Sequence, residues 1–109
     1  MKKFCLTITV LLILSMILAA CDPDTEGKTY SILYYGNGET SGIAPTDKNF
    51  YKAGETAVVK DKNTLSRTGY EFLHWNTKTD GTRNTYHVGD PIKVKNYDIF
   101  LHAIWGILP

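Results

Sequence analysis

The chain has 109 residues, with 12 basic and 11 acidic side chains and a formal net charge of +1. So even a balance, with no basic block, leaves no electrostatic footprint for nucleic acid. Only two cysteines are present, and their positions leave the folded part without a disulfide or a thiolate metal site.

Lys2 and Lys3 open the chain, and Phe4 to Leu18 follows as an almost unbroken apolar run containing Cys5. This is the layout of a secretory signal peptide. The run falls short of the roughly 20 apolar residues of a spanning helix, and only its N-terminal flank is charged. Its ending, Leu18-Ala19-Ala20-Cys21, resembles the lipobox of bacterial lipoproteins. The resemblance implies that a signal peptidase recognises Leu18, Ala19 and Ala20, that residues 1–20 are removed, and that Cys21 carries lipid on its sulfur. A diacylglyceryl group supplies two acyl chains. Each buried methylene adds about 0.8 kcal/mol, and two chains anchor stably where one does not. The expected location is therefore extracytoplasmic, lipid-anchored to the cell membrane or the outer membrane.

Loss of the first 20 residues leaves 89, and loss of Lys2 and Lys3 takes the charge from +1 to −1. Residues 21–29 are polar and rich in turn formers, which predicts a flexible stalk. One small domain, 30–105, then carries the fold, followed by a short tail, 106–109. Without cysteines its stability has to come from packing, which is demanding at this size. Seven tyrosines and two tryptophans supply large apolar surfaces for that purpose.

Tyr30-Ser31-Ile32-Leu33-Tyr34-Tyr35 is β-prone and closed by Gly36-Asn37-Gly38, a strong turn signal. Thr56-Ala57-Val58-Val59 predicts a second strand. Tyr70 to Trp75 predicts a third, entered through Gly69, which permits a positive φ. Phe72 and Trp75 are three apart and share a strand face only if a bulge intervenes, so a bulge is expected near Leu73-His74. Pro91 to Lys95 alternates apolar and charged residues, as a half-exposed strand does. Ile99 to Trp105 closes the domain, with Ile99, Leu101, Ala103 and Trp105 on one face. No segment after the leader carries a helical stripe. The fold class is mostly β.

Spaced motifs carry a family resemblance. They are Tyr51-Lys52-Ala53-Gly54-Glu55, the stretch Leu65 to Thr77 with Gly69-Tyr70-Glu71-Phe72 and Trp75-Asn76-Thr77, then Tyr86-His87-Val88-Gly89-Asp90, and Leu101-His102-Ala103-Ile104-Trp105. In this order they resemble the internalin B-type B repeat, or Listeria–Bacteroides repeat, over Tyr30 to Trp105. The resemblance implies a β-grasp-like module of bacterial surface proteins, usually set in tandem arrays between larger domains. Leu73-His74 departs from the small residues common in the family at that point. A single repeat stands in this sequence, so the module is expected to act alone.

The sequence points to no enzyme and no cofactor. His74, His87 and His102, with Asp80 or Asp90, follow no metal-ligand spacing. Ser31, Ser41 and Ser66 lack a nucleophile-elbow context. Gly36-Asn37-Gly38 has no following helix to bind phosphate. The informative feature is the far side of the last strand, where Phe100, His102 and Ile104 point outward. Large apolar residues on a solvent face need a cover, which is either the chain itself or a partner. Phe100, His102 and Ile104 are thus the candidate contact residues. The expected role is a non-catalytic envelope lipoprotein that touches a protein or glycan. The alternative is a periplasm-facing structural component bound to neighbouring envelope proteins.

Overall fold

The computed structural model describes residues 27–109. The expected signal peptide with Leu18, Ala19 and Ala20, the expected lipidation site Cys21 and the first part of the expected stalk lie outside the described residues. Six strands follow in order: β1 (Ile32–Tyr35), β2 (Thr56–Val58), β3 (Tyr70–Asn76), β4 (Thr85–Tyr86), β5 (Pro91–Lys93) and β6 (Ile99–Ile107). No helix occurs among the described residues, so the mostly-β expectation holds.

The strands form a four-stranded sheet, in the order β1-β6-β3-β4, and a separate β2-β5 ribbon. β1 runs parallel to β6, with Ile32 opposite Ile99 and Tyr35 opposite His102. β3 runs antiparallel to β6 and to β4. The β2-β5 ribbon is antiparallel and is extended by bonds from Gly54 N–H to Val94 O and from Gly89 N–H to Val59 O. β6 runs two residues past Trp105, because Gly106 and Ile107 pair with Glu71 and Tyr70.

Alternation explains the core. Ile32 and Tyr34 of β1, and Ile99, Leu101 and Ala103 of β6, point to one side of the sheet and are buried. Ala57, Val59, Ile92 and Val94 of the ribbon join them in one buried cluster, together with Leu65 and with Trp75 of β3. The predicted bulge is present: the β3–β6 register shifts between Phe72 and His74, leaving Leu73 as the extra residue. The shift turns both Phe72 and Trp75 to the core side, opposite Trp105 and Ala103. Leu73 is put out on the other face. Its side chain lies over Gly106, where a β-carbon would come within 2.9 Å of it.

The aromatic residues interlock. Trp75 is fully buried, with Tyr34 edge-on at 4.8 Å and Phe72 at 5.1 Å between centroids. A ring that buries about 150–250 Å² contributes roughly 4–6 kcal/mol at about 25 cal/mol per Å², an upper bound. The polar ends of two of these rings share one residue, Lys60, through the two peptide groups that flank it. Trp75 Nε1 donates to Lys60 O at 2.9 Å, and Lys60 N–H donates to the Tyr34 hydroxyl at 3.0 Å. Trp105 Nε1 donates to Gly36 O at 2.9 Å, tying β6 to the turn after β1.

Glycine is required at one close approach. Gly42 has φ +91°, and a β-carbon there would lie 2.0 Å from the Thr64 carbonyl oxygen. Its neighbour Ser41 pairs with Ser66 through backbone and hydroxyl bonds. The long crossing from β1 to β2 is pinned there against the segment leading to β3.

Candidate functional site

The candidate contact residues lie on the face of the four-stranded sheet that points away from the core. Opposite each other in the parallel register stand Leu33 and Phe100, then Tyr35 and His102. Tyr35 stacks on His102 at 5.3 Å and 21°, and on Phe100 at 6.2 Å and 28°. Phe100 is 46% exposed and Tyr35 41%. Parallel pairing thus sets a tyrosine from the first strand against two aromatic rings from the last. The three rings hold one another upright on an open surface.

The other end of the face is covered by the chain itself. Ile104 is half-buried, and the loop after β3 passes over it. A β-carbon at Gly81 would sit 3.5 Å from Ile104 Cδ1. Asn76 holds that loop in place. Its side-chain amide donates to Gly81 O, Arg83 O and Thr85 Oγ1, and its Oδ1 accepts from the N–H groups of Lys78 and Arg83. Asn76 is fully buried on what would otherwise be a solvent face. Asn37 closes the loop from the other side, donating to Thr79 O at 2.9 Å and Ala103 O at 2.8 Å. The three candidates therefore separate: Phe100 is open, His102 lies half-covered beneath Tyr35, and Ile104 lies under the loop.

The sequence pattern missed Tyr35, Asn37 and Asn76. Tyr35 had a readable signal, since it shares the odd-numbered face of β1. Asn37 sits in a Gly-Asn-Gly turn at φ 53°, a conformation asparagine tolerates. Asn76, at the strand end before a run of turn formers, carried only the general signal of a loop-capping amide.

The histidines are spoken for by packing. The rings of His74 and His87 meet edge to face at 5.4 Å, while His102 stacks on Tyr35. Burial, and then the neighbouring His87, lowers the pKa of His74 from its ordinary 6.5. His87 also lies 3.7 Å from Asp90, whose carboxylate accepts from the His87 N–H at 2.7 Å and closes the turn. Among the described residues, no group of three or more histidine, cysteine, aspartate or glutamate side chains converges to hold a metal ion. What this surface offers chemically is a flat aromatic strip beside the edge strand of a sheet.

The model of the Listeria–Bacteroides repeat domain matches residues 30–104. A protein of Evansella cellulosilytica, provisionally named a membrane protein, is 36% identical over 77 residues. That match takes in 71% of this chain and 11% of the relative. A second protein of the same organism, provisionally named a Gly-rich membrane protein, is 35% identical over 78 residues, 72% of this chain and 9% of the relative. The chain thus spans about a tenth of the length of the curated relatives it matches. No solved structure gives a significant match.

Proposed function

The chain belongs to the Listeria–Bacteroides repeat domain family, and from that premise we propose a non-catalytic, lipid-anchored protein of the bacterial envelope whose repeat contacts a protein or glycan at the cell surface. The leader ending in Leu18-Ala19-Ala20-Cys21 supports the anchor. The two relatives named as membrane proteins support a membrane setting. The contact role rests on one observation: Phe100 and Tyr35 stand open while the loop 77–84 covers Ile104 on the same face. The chain has a device for shielding apolar surface there and leaves the aromatic end unshielded. Covering such a ring fully is worth about 1.5–3 kcal/mol, a return that a partner collects.

Three measurements on cells expressing the full chain test this. Metabolic labelling with an alkyne fatty acid should mark the protein and fail to mark Cys21→Ser. Protease added to intact cells should remove the repeat; protection would move the protein to the periplasmic side. A photoreactive benzoylphenylalanine in place of Phe100 should give a crosslinked adduct, whereas the same group in place of the exposed Val58 should not. Equal yields at both positions, or none at position 100, would remove the contact face.

A further inference from the structure

β1 is a terminal strand of its sheet, and its backbone shows which way each residue faces. Ile99 N–H donates to Ser31 O at 3.0 Å. Given the register Ile32 to Tyr35 opposite Ile99 to His102, parallel pairing then commits the backbone groups of Leu33 and Tyr35 to β6 as well. Those of Ile32 and Tyr34 point the other way. At Tyr30 the same outward direction is in use, because its N–H and C=O exchange bonds of 2.7 and 2.8 Å with Tyr51. Past that single bridge the two chains part.

They part around a cleft of about 230 Å³. Ser31 to Tyr35 line one side, and Pro45 to Lys48 with Phe50 line the other. Among the described residues, nothing pairs with the backbone N–H or C=O of Ile32 or Tyr34. Both residues are nonetheless buried, at 2% and 7% exposure. Buried backbone groups are nearly always paired. Here two donors and two acceptors repeat at a spacing of two residues, and all face one cleft. Through Pro45 and Thr46 the cleft continues into a polar depression reaching Lys60, Asp61 and Asn63. The first of these spaces follows β1, from Ser31 to Tyr35.

We infer that the free edge of β1 takes up an extended segment of a partner polypeptide as an added strand, paired through Ile32 and Tyr34. This deepens the contact reading above and rests on it, since the partner is then a protein. A backbone that alternates donor and acceptor every second residue is matched by another extended peptide; sugar hydroxyls have no such register. The outward side chains of the added strand would fall beside Leu33 and Tyr35, in line with Phe100. Edge and aromatic strip thus form one surface, with backbone pairing at the edge and apolar contact on the face.

The test uses the full chain, labelled with ¹⁵N in detergent micelles, and a synthetic acetylated hexapeptide amide of alternating valine and threonine as the probe. At millimolar peptide, amide exchange at Ile32 and Tyr34 should slow by at least about tenfold, with Leu33 and Tyr35 unchanged. N-methylating one alternate set of the peptide's amides should abolish the effect, and methylating the other set should preserve it. Unchanged exchange at Ile32 and Tyr34, or equal effects of the two methylated peptides, would overturn the inference. The photoreactive residue at position 100 separates the two readings. Crosslinking without protection keeps the contact face and removes the strand pairing. Protection without crosslinking keeps the pairing and removes the contact face.

Discussion

The side-chain amide of Asn37 lies 2.8 Å from the carbonyl oxygen of Ala103 and fills a place that belongs to a backbone. β6 uses its odd-numbered residues to bond β1, and Ala103 is the next acceptor after Leu101. Had β1 run on, the N–H of residue 37 would have donated there. The turn at Gly36-Asn37-Gly38 carries that N–H away, and the asparagine side chain replaces it. The same amide reaches Thr79 O, so one residue both ends the ladder and clips down the loop over the outer face.

Asn37→Ala should therefore cost about 1.5–3 kcal/mol, from two lost hydrogen bonds and a positive φ that alanine disfavours. Asn37→Gly keeps the backbone freedom and should cost about half as much. Asn37→Asp should be the worst of the three, because a carboxylate would face two carbonyl oxygens. Urea unfolding midpoints, compared at constant slope, give the ranking.

Asn76 makes a sharper case. It is fully buried, and its amide group takes part in five hydrogen bonds around the loop 77–84. Asn76→Ala would leave several shielded backbone groups without partners, each worth about 1–3 kcal/mol. The loss expected is about 3–5 kcal/mol, with exchange of the Lys78 and Arg83 amides rising first. If those amides keep their protection while stability falls, Asn76 serves the core and not the loop.

Much of this architecture was legible in the sequence because local pattern carried it. β-prone runs bounded by turn signals located β1, β2 and β3, period-two alternation located β5 and β6 and turned Phe100 outward, and a bulge near Leu73-His74 was required once Phe72 and Trp75 were both assigned to the core. β4 escaped because two residues have no period. Thr85 and Tyr86 become a strand only through lying beside Asn76 and Trp75. The contact surface was half legible for a similar reason. Alternation says which way Phe100 points, but not that the parallel register brings Tyr35 from the first strand onto it. Nor does it show that a loop held by Asn76 closes over Ile104. Those are long-range pairings, and local pattern does not contain them.

The pair His74 and His87 sets a pH dependence with a definite sign. Burial first, and the nearby His87 second, lower the His74 pKa below 6.5 in the folded chain. The unfolded chain then binds more protons than the folded one in the interval below 6.5. Stability is fully present above that value and declines as the pH falls beneath it. Unfolding midpoints at about pH 7.5 and about pH 5.5 should differ in that direction, and His74→Gln should shrink the difference. A larger difference in the variant would show that another group governs this range.

The backbone of Lys60 offers a direct test of how the aromatic core is held. Its N–H donates to the Tyr34 hydroxyl and its C=O accepts from Trp75 Nε1, while the two rings touch edge to face at 4.8 Å. Tyr34→Phe and Trp75→Phe each strip one polar partner from that residue's backbone and should each cost about 1–3 kcal/mol, the tryptophan more because ring volume is lost as well. The two rings and the Lys60 backbone form one connected unit, so the double variant should cost less than the sum of the single ones, by about 0.5 kcal/mol or more. Once one clamp is gone, the Lys60 segment is free to shift toward water and the second clamp has less to hold. Strict additivity in the double-mutant cycle would mean that each ring holds its own peptide group and that the shared residue is incidental.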